Sequence, residues 1–238
     1  MLMRTAPFDR DALPYALGAI GLGILSLISQ DFAFQWQPVP ATLPLHHPLA
    51  LLSGALLIAG GAAALWQGMG KARLILPAFY LLWVIALHLP KLAGDPSVGT
   101  LLGVAEILAL ATGGILLDPR SPYAWLAIRL FGLCAIVFGI SHLVYAGFTA
   151  AMVPGWLPAR LFWAYFTGAA HIAAGAAILA GLLRRLAAML LAAMCGVFVL
   201  ILHVPRVAAA PASRIEWTML CMALSITGAA WLVHRAAR

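Results

Sequence analysis

Eight stretches of predominantly apolar residues follow one another along the chain. They run at about 13 to 33, 47 to 67, 72 to 93, 98 to 117, 124 to 146, 160 to 183, 186 to 206 and 214 to 234. Each is close to the roughly 20 residues that an α-helix needs to cross a bilayer. Strands of a membrane barrel would be about half as long and would alternate in polarity, which these do not. In hydrocarbon, a helix satisfies its own backbone without help from neighbours. Composition removes the soluble alternative. The chain is 64% hydrophobic and 9% charged, with mean hydropathy +1.02, whereas a soluble domain carries roughly 25% charged residues. So few charges cannot cover a water-facing surface. The expected fold class is an all-α membrane protein with eight transmembrane helices.

The formal charge of +7 does not indicate nucleic acid, because the 14 cations stand singly or in pairs between apolar runs. That distribution suits helix ends at headgroups. With eight helices, both termini share one side. That side would hold Arg4, Arg10, Lys71, Arg73, Arg120, Arg184, Arg185, Arg235 and Arg238, against Lys91, Arg160, Arg206 and Arg214 on the other. By the positive-inside rule the termini are expected in the cytoplasm and the chain in the plasma membrane. The opening "MLMRTAPFDRDALPY" precedes a run too long for a signal-peptide core, with no A-x-A site, so the first run reads as a retained helix. Cys134, Cys195 and Cys221 lie within apolar runs without a CxxC and read as small buried hydrophobes.

Two of the runs end alike, in "LHLPKL" at 87–92 and "LHVPRV" at 202–207, 115 positions apart. Other landmarks recur at nearly the same displacement. Pro40 and Pro44 match Pro154 and Pro158, and Gly54 and Gly61 match Gly168 and Gly175. Thr112-Gly113 matches Thr227-Gly228, and "GILSLI" at 23 matches "GISHLV" at 139. One order at one spacing indicates an internal repeat. The two units would span 13–117 and 124–235, each a four-helix bundle. An even number of helices per unit makes the repeats parallel in topology, unlike the inverted repeats of many transporters.

The succession "FGISHL", "MVPGWLP", "FTGAAHIAAG", an arginine pair and "LHVPRV" resembles the DoxX-like family of four-helix integral membrane proteins, closely over 124–234 and more loosely over 13–117. The resemblance implies a membrane location, a tandem duplication of the four-helix unit, and an association with membrane oxidoreductase systems linked to quinone. Such units often carry a carboxylate in the second helix, where this chain has Leu57 and His171. They often carry another in the fourth, where it has Glu106 and Cys221. Two equivalent sites are therefore not expected.

Ionisable groups inside a bilayer are costly and mark functional candidates. His142, His171 and His203 fall on three helices of the second unit, and His88 and Glu106 on two helices of the first. His171 is the deepest, roughly 16 Å into its helix. It would either bond across a helix contact or face a ligand. Glu106 would be neutral, paired (His88 being the candidate), or a proton carrier. Three imidazoles could in principle bind a metal, but no HExxH and no histidine pair four apart on one helix supports a metal site. Arg129 is expected to reach headgroups or an ion partner on another helix, and Asp31 and Glu216 to be wet. The small residues of "SGALLIAGG" and "TGAAHIAAG" permit close helix contact and would put the second helix of each unit at the bundle centre.

No phosphate loop, GxSxG or soluble domain is present, so whether the chain is an enzyme stays open. The leading expectation is an accessory subunit of a membrane redox process that engages quinone as its candidate cofactor. His142 and His171 would donate hydrogen bonds to it, and Glu106 would handle protons. A non-catalytic scaffold or stress protein and a carrier of a small lipophilic solute are the alternatives. The candidate partners are the lipid bilayer, a redox protein and a second copy of the chain.

Overall fold

The computed structural model describes residues 7–237; Arg4 and Arg238, two of the cations assigned to the terminal side, lie outside them. Eight helices are long and apolar enough to cross a membrane. They are α1 (Arg10–Ser29), α2 (His46–Ala64), α3 (Gln67–Gly94), α4 (Val98–Ile115), α5 (Ala124–Val144), α6 (Arg160–Ala180), α7 (Arg184–Ala209) and α8 (Arg214–Ala236). No strand is present among the described residues; one isolated bridge joins Phe8 to Trp66. The two longer connections are partly helical, with a 3-10 turn at Phe34–Trp36 and a short helix at Ala146–Met152.

The helices form a ring in chain order, each packing on the next, with α8 closing on α1 and α4 touching α8 across the middle. The first helix of each half thus packs against the last helix of the other. α1 lies on α8, and α5 on α4. Contacts within the pairs α1–α2 and α5–α6 are made by glycine. A Cβ on Gly23 would stand 2.6 Å from the Gly54 carbonyl oxygen, and one on Gly168 would stand 3.1 Å from that of Gly139. With no side chain between them the backbones approach directly, as small-residue faces allow in lipid. The expected central position of α2 and α6 is not what results. Only 33% of the apolar window of α6 is buried, against 50% for α4 and α5. The small residues of α6 serve one contact, with α5, while Leu161, Phe162 and Tyr165 face outward.

Helices α3 and α7 are not uniform. Each carries one π turn, at Val84–His88 and Val199–His203, immediately before the Leu-Pro and Val-Pro steps. Pro90 and Pro205 lack an N–H and crowd the carbonyl one turn back. Widening the turn lets the helix continue: the Leu89 N–H reaches the Val84 carbonyl, and the Val204 N–H that of Val199. The same widening turns His88 and His203 inward, where they are 2% and 9% exposed. π bulges of this kind often occur at functional sites.

The two ends of the bundle are tied by ions. At the end bearing the termini, the buried carboxylate of Asp9 pairs with Arg73 and, at 2.8 Å, with Arg235. The same guanidinium groups donate to the carbonyls of Ala64, Leu116 and Leu117, where α2 and α4 end. Cations so placed satisfy carbonyls left open by the last helical turn. At the opposite end Arg206 binds both oxygens of Glu216, at 2.8 and 2.6 Å. Asp31 receives His46 at 2.9 Å and Arg214 at 3.0 Å. Asp31 and Glu216 are therefore paired, not simply hydrated. Arg129 forms no ion pair among the described residues. It is exposed on α5 with its guanidinium 5.3 Å from the Trp125 ring centroid, one turn away.

Candidate functional site

A partly open chamber of about 880 Å³ lies between α3, α4, α5, α6, α7 and α8, toward the end opposite the termini. It is mostly apolar. Small-molecule sites commonly have roughly 300–1,000 Å³ and a few placed polar groups. The five residues singled out from the sequence as ligand candidates line it: His88, Glu106, His142, His171 and His203. The first two come from the first half of the chain and the other three from the second. The chamber is thus built across the halves, with α4 of the first half supplying one wall.

The local folding of each wall is specific. Helix α4 starts at a capping box, with the Thr100 N–H donating to Ser97 Oγ (3.3 Å) and the Ser97 N–H to Thr100 Oγ1 (3.1 Å). This fixes where the chamber wall begins. Gly103, one turn on, makes room for an imidazole: a Cβ there would stand 3.0 Å from His88 Nδ1. His88 Nε2 donates to the Trp36 carbonyl oxygen at 2.9 Å. The expected His88–Glu106 pair is therefore not formed, because the π turn aims His88 at the 3-10 turn between α1 and α2. Glu106 has no ion pair among the described residues. The Trp36 indole stands beside its carboxyl, and Trp36 Nε1 has no hydrogen-bond partner.

On the opposite wall, His171 Nδ1 donates to the Thr167 carbonyl oxygen at 2.8 Å, and His142 Nδ1 lies 3.0 Å from Thr167 Oγ1. The two rings are 5.0 Å apart between centroids. Phe198 flanks both, at 6.4 Å from His142 and 6.3 Å from His171, and Phe138 meets His171 edge-on at 6.0 Å. His203 comes from the second π turn, and its buried Nδ1 has no partner. Among the described residues no three His, Cys, Asp or Glu side chains gather as a metal-holding group. Of the chamber histidines, His142 and His171 stand together on one wall, while His88 and His203 come from the π turns of α3 and α7.

Thr167, Trp36 and Gly103 were not read from the sequence as parts of a site. Thr167 had a readable signal, since it stands one helical turn before His171. Trp36 and Gly103 had none, because their roles depend on where α3 presents His88. The positions displaced by 114 to 116 in the first half are packed solid. Leu57, Ser26, Tyr80 and Trp83 stand where the second half has His171, His142, Cys195 and Phe198, and all four are at most 2% exposed. Tyr80 and Trp83 meet edge-on at 5.3 Å between centroids. Two large rings take up the room that the second half leaves open.

Residues 130–236 match the family described as a domain of unknown function, DUF8561. No curated protein and no solved structure matches the chain. The matched stretch runs from within α5 through α8 and so covers His142, Thr167, His171 and His203, but not Glu106 or His88.

Proposed function

We propose that this chain is a multi-pass membrane protein that holds a quinone-type molecule in the chamber between α4 and α8 and serves as an accessory subunit of a membrane redox process. The observation that carries this reading is the meeting of His142, His171, His203 and Glu106 around one apolar space of about 880 Å³. A ring compound with an apolar body and polar oxygens matches such a lining in size and chemistry. The unpartnered nitrogen of His203 supports a ligand further, since a buried polar atom without a partner costs about 1–3 kcal/mol.

The DoxX-like resemblance stands within this proposal, as does the division into four-helix units at 13–117 and 124–235. The matching π turns, displaced by 115 residues, and the exchanged packing of α1 on α8 and α5 on α4 support two units of one design. The excess of cations on the terminal side supports cytoplasmic termini in a plasma membrane. A redox protein is the partner that an accessory subunit of this kind would serve.

The test is mass spectrometry of small molecules extracted from protein purified in mild detergent, beside His171→Ala. The expected result is a quinone enriched with the parent and lost from the variant. An unchanged extract together with a lowered melting temperature in His171→Ala would overturn the ligand reading in favour of a scaffold, with the histidines merely joining helices.

A further inference from the structure

We infer that the chamber selects ligands that bring aromatic hydroxyl donors, so that a hydroquinone is held in preference to the corresponding quinone. This rests on the chamber reading above for where the ligand sits, and deepens it by naming the chemical form.

The inference starts at Thr167. Its carbonyl oxygen can only accept, so the proton of the His171 ring is on Nδ1, 2.8 Å away. Its hydroxyl has one hydrogen, with two carbonyl oxygens to receive it, those of Trp163 at 2.8 Å and Ala164 at 3.3 Å. With that hydrogen committed to the backbone, Oγ1 faces His142 as an acceptor, and the His142 proton is on Nδ1 as well. A neutral imidazole carries one N–H. Both Nε2 atoms therefore present lone pairs, and neither has a protein partner among the described residues. This reverses the sense expected from the sequence, in which the two histidines donate.

On this wall the neighbouring groups do not restore a donor. Trp163 Nε1 is committed to the Pro158 carbonyl at 3.0 Å, the Ser141 hydroxyl to the Phe138 carbonyl at 2.7 Å, and the Tyr145 hydroxyl lies against Gly99 of α4; the donors of Lys91 and His203 belong to α3 and α7. A ligand carbonyl turned to the histidine wall would set lone pairs against lone pairs in an apolar space. A hydroxyl there is matched. Sites with a hydrogen-bonding requirement reject the analogue that cannot meet it more strongly than apolar pockets reject a change of shape. The expected preference is about tenfold or more.

The test uses the full chain in lipid nanodiscs, with His171→Leu nanodiscs as the background for partition into lipid. The probes are 4-decylphenol and 4-decylanisole, which differ by the hydroxyl hydrogen and its methyl replacement, followed by competition with decylubiquinol and decylubiquinone. The expected result is about tenfold tighter binding of the phenol than the anisole and of the quinol than the quinone. Thr167→Val, which removes the acceptor that orients His142, would shrink both ratios to about threefold, and Thr167→Ser would keep them. Equal binding of phenol and anisole overturns the inference, as does a preference that Thr167→Val leaves intact. Equal displacement by quinol and quinone overturns it while leaving the quinone chamber standing. A phenol preference with no displacement by either quinone form upholds the donor rule and removes the quinone. Binding no greater than in His171→Leu removes both.

Discussion

Asp31 lies in the connection after α1, joined to His46 at the start of α2 and Arg214 at the start of α8. Partial burial pushes its carboxyl up. The hydrogen bonds from His46, Arg214 and the Phe32 N–H outweigh that and hold it at about 2, against an ordinary 3.8. A carboxylate lowered by folding contributes stability above its unfolded value and loses it as the pH falls through the folded one. The Asp31 side chain is 45% exposed, so solvent screening keeps the contribution at or below about 1 kcal/mol. The expected outcome is that Asp31→Asn flattens the fall in melting temperature between pH 4 and pH 2 while changing little else. An unchanged slope would separate Asp31 from the acid sensitivity of this end. The residues that carry chemistry were legible singly, because an ionisable group in an apolar run stands out. Their partners were not. Asp9, an ordinary acid before the first helix, is bound by Arg73 and Arg235, 64 and 226 positions away. Nothing local encodes that meeting.

The helices themselves show how far local pattern carries. Apolar length placed all eight, because in hydrocarbon the backbone has few other ways to satisfy its polar groups. The π turns were less legible. The Leu-His-x-Pro pattern signals a perturbed turn, but whether a helix breaks, kinks or widens at proline depends on the packing around it. Small-residue faces on α2 and α6 announced close contacts, but not which helix they would meet. The α5–α6 contact is the one that holds the histidine wall, since His142 and Thr167 face each other across it. A Cβ on Gly139 would stand 2.5 Å from Ile172 Cγ1 and 2.9 Å from the Ile172 backbone nitrogen. Gly139→Val is therefore expected to destabilise by about 1–3 kcal/mol. It should also weaken binding of any chamber ligand by moving His142 away from Thr167. Thermal unfolding and the phenol titration together check both effects, and normal binding in a destabilised protein would dissociate the contact from the chamber.

At the scale of the whole molecule, the halves are interlocked, with α1 lying on α8 and α5 on α4. Cutting the chain in the connection between α4 and α5, after Asp118, is expected to leave two fragments that co-purify in mild detergent and retain ligand together. Fragments that separate readily would show that the exchanged contacts do not hold the halves together. From the sequence alone come the helical class, the eight spans, the recurrence of landmarks at 114 to 116 residues and the short roster of ionisable groups. Each of these follows from composition and order along the chain, which the bilayer translates almost directly into helices. Only the tertiary structure decided that α4 of the first half would wall a chamber in the second, bringing Glu106 and His88 to His142, His171 and His203. It also decided that Tyr80 and Trp83 would fill the corresponding space in the first half. Those outcomes depend on which helix faces meet and how large the side chains between them are, and neighbours on different helices are far apart in sequence.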